Sequence, residues 1–300
     1  MNPIKIVFIT DENYFKNMVI AIESILVNTK SVVEFYIILD DDLNEQFIQY
    51  KNYFLEKFKF SSFNILDTAN ITKKNNFKAK AHVSKAAFIK IYLPNLLQSL
   101  DKVIYLDSDL ILLDDIEKLW DLDIQDFKIG AVWNPDYKDD NKYMEIPANT
   151  ETFNSGVMIL NLDKMRKDNS SEKLFDFLVK KNHLTRLNDQ AAFNAIFYND
   201  WMELPIEWNM QYKFFTEKAS LYSKKKDEIV YALKNVSIVH FTSNSKPWQF
   251  RNTHPYKKVY LTYYRELFGK ILYKDLSINS FLKKIKEQLT LVYVKILNRM

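Results

Sequence analysis

The stretch "KVIYLDSDLILLDD", residues 102–115, decides how the rest of the chain is read. Val103, Ile104, Tyr105 and Leu106 form a short apolar run of the kind that becomes a buried strand. Asp107 and Asp109 follow at once, with only Ser108 between them. A buried carboxylate without a partner is costly, so the pair sits either at the solvated end of the strand or around a cation. Side chains alternate along extended chain, so residues two apart point to one side and both carboxylates can reach one ion.

Upstream, apolar runs alternate with helical patterns: "IKIVFIT" (4–10), a helix over about 13–28, "VEFYIIL" (33–39), a helix over about 43–58, and "FKFSSFNIL" (58–66). A helix over about 84–99 leads into residues 102–107. Such alternation predicts an α/β fold with a mostly parallel sheet, whose ligand sites lie beyond the carboxyl ends of the strands. Downstream come the runs "KIGAVW" (128–133), "GVMILNL" (156–162) and "VSIVHF" (236–241), with helices near 172–181 and 188–199. Segment 134–153 is polar and contains prolines, which predicts a long surface loop able to cover a site. The lysine run "SKKKDE" (223–228) reads as a solvated loop. There is no internal repeat.

Composition narrows the function classes. Three hundred residues, 47% hydrophobic and 15% aromatic, support a sizeable core. With no cysteine there is no disulfide, thiolate metal site or cysteine nucleophile. The three glycines, Gly130, Gly156 and Gly269, are too far apart for a P-loop or a G-x-G-x-x-G turn. Any bound nucleotide therefore needs another means of neutralising its phosphates, and a metal held by carboxylates is the obvious one. No apolar run approaches a membrane span, and "MNPIKIVFIT" lacks a basic n-region before a long apolar stretch, so the expectation is a cytoplasmic protein.

The net charge of +4 belongs to the tail. Residues 270–300 hold seven Lys or Arg and two acids, leaving the first 269 at −1. No general nucleic-acid surface is indicated. From Ser277 onward, Ile278, Phe281, Leu282, Ile285, Leu289, Val292, Tyr293 and Ile296 recur at helical spacing, with Lys283, Lys284, Lys286 and Lys295 on the flanks. That pattern suits a basic helix on an anionic membrane, or equally a helix docked on the catalytic domain or on a second subunit.

The blocks "TDENY" (10–14), "YLDSDLIL", "FNSGVMILNL", "NDQAAFN" and "HFTSNSKPW", in that order, resemble the family 8 glycosyltransferases, among them the bacterial lipooligosaccharide galactosyltransferases and, more distantly, glycogenin. The resemblance implies a GT-A-type, Rossmann-like nucleotide-sugar-binding fold: a catalytic domain over 1–255, with a mixed, mostly parallel sheet flanked by helices, and a basic helical extension over 256–300. It implies that Asp107, Asp109 and His240 bind Mn²⁺, with Mg²⁺ as the alternative, on the diphosphate of a UDP-sugar. Such a mixed carboxylate and imidazole set suits manganese better than calcium. Lys246 would add a fixed positive charge on the same phosphates, with Ser108 and Ser243 among the donor contacts.

By the same resemblance Asp11 and Asn13 match contacts to uracil and ribose, although an aspartate opening a helix is also an ordinary N-cap. Asn154 and Asp189 match residues around the donor hexose, and Gln190 a residue near the anomeric carbon. The chain departs from the family at three places. Phe88 and Lys90 stand where Tyr-x-Arg is common, and lysine keeps the charge without the bidentate fork. Ala191 stands where a carboxylate sometimes follows the glutamine. Ser243 replaces a frequent glycine, trading close backbone approach for a hydroxyl.

The function implied is a retaining transfer of galactose or glucose from a UDP-hexose to a saccharide or glycolipid acceptor in surface-glycan synthesis, at the inner face of the plasma membrane if the tail meets lipid. A different metal-dependent nucleotide enzyme, or a catalytically silent UDP-binding protein, are the alternatives.

Overall fold

The computed structural model describes residues 3–39, 43–66, 85–135, 141–181 and 189–297. Residues 136–140 of the polar segment, residue 84 of one expected helix and residue 188 of another lie outside them. In chain order the strands are β1 (Ile4–Ile9), β2 (Val33–Ile38), β3 (Ser61–Ile65), β4 (Lys102–Leu106), β5 (Leu110–Leu112), β6 (Ile129–Asn134), β7 (Thr152–Asn161), β8 (Trp201–Glu203), β9 (Met210–Gln211) and β10 (Ile238–His240). The longer helices are α1 (Phe15–Asn28), α2 (Asn44–Lys57), α3 (Lys85–Ile91), α4 (Leu162–Lys167), α5 (Ser170–Lys181), α6 (Asp189–Phe197), α7 (Lys226–Lys234), α8 (Lys257–Phe268) and α9 (Ile278–Leu297).

The chain divides into two compact units. The first comprises Met1–Phe15, Lys30–Ser108 and Glu117–Leu204. Its seven-stranded sheet has the order β3-β2-β1-β4-β7-β6-β8. β1 runs parallel to β2 and β4, β2 to β3, and β6 to β8, while β7 is antiparallel to both neighbours. The sheet is thus mixed and mostly parallel, as expected. β1 buries every residue but Lys5, and β6 buries all six, the near-continuous apolar reading of strands covered on both faces. Val7, Val103, Met158 and Leu160 join Phe88 of α3, Leu174 of α5 and Phe193 of α6 in one core.

Two local expectations are corrected here. The helix read over 84–99 is two pieces, α3 and a short turn Leu93–Leu96, because Pro94 has no N–H to continue the first. The carbonyl oxygens of Pro94, Leu97 and Leu100 instead accept from Arg166 Nη1. The segment read as loop to residue 153 ends earlier, since β7 begins at Thr152 and a helical turn occupies Asn141–Met144. The pairing of β7 with β6 shifts register between Ala131 and Val132, opposite Asn154 and Met158, so Ser155, Gly156 and Val157 bulge at that point.

The second unit comprises Lys16–Thr29, Asp109–Ile116 and Pro205–Met300. It has its own three-stranded sheet, β5-β10-β9, with β10 antiparallel to β5 and parallel to β9. Residues 236–241 therefore do not extend the main sheet. Ile20, Ile111, Val239, Phe241, Tyr260 and Leu261 form its core, and Tyr260 donates to Asn17 Oδ1 at 2.7 Å. The lysine run 223–228 is solvated but is not a loop: a 3₁₀ turn at Ser223–Lys225 leads into α7.

Candidate active site

In the first unit the paired ends of β1 and β4, in register at Phe8 and Leu106, release two loops from one edge of the sheet. The loop after β1 carries Asp11 and Asn13, both exposed. Asp11 Oδ1 accepts from the Tyr14 amide at 3.1 Å, so its carboxylate caps the turn before α1. The loop after β4 begins with Asp107, whose amide donates to Gly156 O at 2.7 Å and so continues the β4–β7 ladder by one residue. Tyr105, two residues back and on the same side of the strand, donates its hydroxyl to Asp107 Oδ1 at 2.7 Å. Ser108 Oγ is buried and has no hydrogen-bond partner among the described residues.

Lys90 anchors the rest of this unit's polar cluster. It is 3% exposed, and its Nζ lies 2.8 Å from Asp189 Oδ2, 3.2 Å from Ser155 Oγ and 3.8 Å from Asp107 Oδ1, above the Tyr105 ring at 4.3 Å. A buried ammonium held by two carboxylates and an aromatic face is compensated on every side. Phe88, two residues earlier, belongs to the core, 4.8 Å from the Tyr92 ring and 5.6 Å from that of Phe175. Gln190 is buried, and its Oε1 accepts from Asn154 Nδ2 and from the Ser155 amide, each at 3.1 Å. Asn154 Oδ1 in turn accepts from the Gly156 amide at 3.0 Å. Asn194 exchanges hydrogen bonds with both the amide and the carbonyl of Phe153, which fixes α6 to β7.

In the second unit Asp109 is buried and its carboxylate is divided. Lys246 Nζ lies 2.6 Å from Oδ2 and also donates to Phe241 O at 2.6 Å, while His240 Nε2 is 3.3 Å from Oδ1. Burial alone would raise the Asp109 carboxyl. The hydrogen bond and charge of His240, followed by those of Lys246, outweigh it and hold the group well below the usual carboxylate range. Behind the ring, His240 Nδ1 is 3.0 Å from Asn209 Oδ1. An amide oxygen only accepts, so Nδ1 carries a proton and Nε2 is the ring nitrogen turned to Asp109. Ser243 turns inward: its hydroxyl donates to Ser245 O at 2.9 Å and accepts from the Ser245 amide at 3.2 Å.

Asp107, Asp109 and His240 each offer one ligand atom within 4.8 Å of the other two. The donor chemistry fits a divalent cation of the manganese or magnesium kind. His240 Nε2 and Asp109 Oδ1 face each other at 3.3 Å, a gap that one proton or one cation can bridge. The Asn209 contact is the outer-shell hydrogen bond that orients metal-binding histidines.

Sequence reasoning gave no site role to Tyr105, Ser155, Asn194 or Asn209. Strand alternation could have found Tyr105, and helical spacing from Gln190 could have found Asn194. Nothing local marks Asn209, which comes to His240 from 31 residues away.

A mixed sheet ending in this acid pair defines the class: the fold is GT-A type. A solved structure of the galactosyltransferase LgtC, with donor and acceptor sugar analogs, matches 93% of this chain and 100% of its own at a TM-score of 0.70 and 17% identity. The chain belongs to glycosyl transferase family 8, whose model matches residues 5–252. General stress protein A of Bacillus subtilis is 37% identical over 191 residues, which cover 61% of this chain and 66% of that relative. Lipopolysaccharide 1,2-glucosyltransferase of Escherichia coli K12 is 25% identical over 255 residues, 83% of this chain and 74% of that one.

Proposed function

We propose that the chain is a retaining hexosyltransferase that moves galactose or glucose from a UDP-sugar to a saccharide acceptor of a surface glycan, such as lipopolysaccharide or lipooligosaccharide, in the cytoplasm. The observation that carries this reading is the Asp107, Asp109 and His240 cluster in a family 8 chain. Those three side chains would hold Mn²⁺. Bound there, the cation acts as a Lewis acid that offsets charge growing on the UDP leaving group. Lys246 supplies a second, fixed positive charge for the phosphates. Ser108 offers its hydroxyl to the donor, Ser243 shapes the loop beside the phosphates through its bonds to Ser245, and Asp11 and Asn13 take the uracil and ribose. Lys90, Asn154 and Asp189 position the hexose. Residues 1–255 form the catalytic domain and 256–300 its basic extension.

Retention follows by front-face substitution on this reading. The acceptor hydroxyl oxygen bonds to the anomeric carbon on the face UDP leaves, the sugar–phosphate C–O bond breaks, and the departing phosphate oxygen takes the hydroxyl proton. Two contacts support it over a covalent glycosyl-enzyme. Gln190 Oε1 is engaged by two donors, and Asp189 is held in an ion pair with Lys90. An amide is in any case a poor substitute for the carboxylate nucleophile of retaining glycosidases. Placement and electrostatics then do the catalysis, with no dedicated protein base.

A screen of UDP-hexoses with and without Mn²⁺ tests the proposal. Mn²⁺-dependent release of UDP, with the anomeric configuration kept in the product, is the expected result. Release of UMP or pyrophosphate would move the chain to another class of metal-dependent nucleotide enzyme. UDP binding without turnover on any acceptor would make it a silent binding protein.

A further inference from the structure

Helix α9 is docked the wrong way round for a core helix. Its inward edge is Ser280, Lys284, Glu287, Leu291 and Val294, of which only Ser280 and Val294 are buried. Phe281, Leu282, Ile285, Leu289, Val292 and Tyr293 lie on the opposite side and are 40–67% exposed. At 3.6 residues per turn these six span an arc of about 120°, a continuous apolar stripe along a helix about 30 Å long.

The charges around the stripe are sorted as well. Both acids of the tail are turned inward, Asp275 to the amides of Phe250 and Arg251 at 2.7 and 3.2 Å, and Glu287 to the Thr253 hydroxyl at 3.0 Å. Lys270, Lys274, Lys283 and Lys286 are exposed. Among the described residues, the exposed charges of α9 itself are therefore both basic, Lys283 and Lys286. No described helix is long and apolar enough to cross a membrane.

We infer that the outward face of α9 is an interfacial surface for an anionic phospholipid bilayer, lying in the headgroup plane with Leu282, Ile285 and Leu289 toward the acyl chains. The pairing of apolar stripe and exposed lysines chooses this occupant: a bilayer supplies both an apolar interior and negative headgroups, whereas a second copy of the chain would bring the same lysines against these. The inference rests on α9 alone, not on the reading of the active site.

Sedimentation of the full chain with vesicles tests it. Phosphatidylcholine vesicles containing phosphatidylglycerol should bind at least about tenfold more tightly than phosphatidylcholine alone, with the difference shrinking at high salt. Leu282→Glu with Leu289→Glu, and separately Lys283→Glu with Lys286→Glu, should each lower that binding about tenfold or more, with helical content and UDP release unchanged. Equal, weak sedimentation on both vesicle types would overturn the inference, as would binding indifferent to the leucine substitutions. A concentration-dependent dimer dissolved by Leu282→Glu with Leu289→Glu would overturn it too, assigning the face to a second copy.

Discussion

The molecule breaks the rule of apolar inside and polar outside in two regions, and in opposite senses. Around Asp107 and Asp109 it buries charge: Lys90, Asp109 and His240 are all but excluded from solvent. Along α9 it exposes a row of large apolar side chains instead. Folding alone gains little from either arrangement, since buried ions cost desolvation and exposed leucines forgo burial. The first region is made tolerable by pairing, with nearly every buried polar atom given a named partner. Along the second, the described residues leave the row exposed apart from Lys218, which lies 5.2 Å from the centre of the Tyr293 ring. The same contrast separates structure kept for a ligand from structure kept for a surface.

The largest effect expected from disturbing this contrast is at Lys90. Lys90→Met leaves Asp189 and Asp107 beside an apolar side chain, and the loss of one partner of a buried pair costs about 3 kcal/mol, at the lower end for such sites because both carboxylates keep some solvent. Urea unfolding measures it. A loss under 1 kcal/mol would mean that the cluster is not held by its cation.

A smaller effect is expected at His254. Its ring is buried among Phe215, Phe241 and Tyr256, and burial lowers its pKa from 6.5 to about 3. Between those values the unfolded chain takes up a proton that the folded chain refuses, so stability is full above about pH 6.5 and falls as pH drops, by roughly 1.4 kcal/mol per pH unit. Denaturant midpoints at pH 7 and 5 should show the loss, and His254→Phe should remove about one proton from the slope. An unchanged slope in the variant would assign the pH dependence to other groups.

The smallest effect is the sharpest comparison. Leu289→Ala in α9 should change stability by no more than about 0.5 kcal/mol in the absence of lipid, against the loss of about 3 kcal/mol expected at Lys90. A large loss at Leu289 would show that the stripe is covered in solution.

Much of this was legible before folding, for physical reasons that differ by residue. β1, β2 and β4 announce themselves because a parallel strand covered on both faces needs continuous apolar sequence. Asp107 and Asp109 stand out by ending such a run. The loop reading takes in Thr152 and Phe153 and the strand reading starts only at Gly156, because "TFNS" mixes polar and apolar residues, and the structure explains why: Asn154 faces Gln190 and Ser155 faces Lys90. The second sheet was hidden because β9 is two residues long and its neighbours are fixed by tertiary packing. Periodicity revealed the apolar stripe of α9 but could not tell which way it faces, since a helix docked by its stripe and one docked by its back share the same spacing.

The central claim, that Asp107, Asp109 and His240 form one cation site, is tested most directly by titrating Mn²⁺ into the protein with UDP present and following the paramagnetic signal of the free ion. The account predicts saturable binding at one site, weakened about 10- to 100-fold or more by Asp109→Asn or His240→Ala and about 10-fold by Asn209→Ala, which leaves the ring unoriented. Binding of equal strength in the wild-type chain and in the Asp109→Asn, His240→Ala double variant would contradict it.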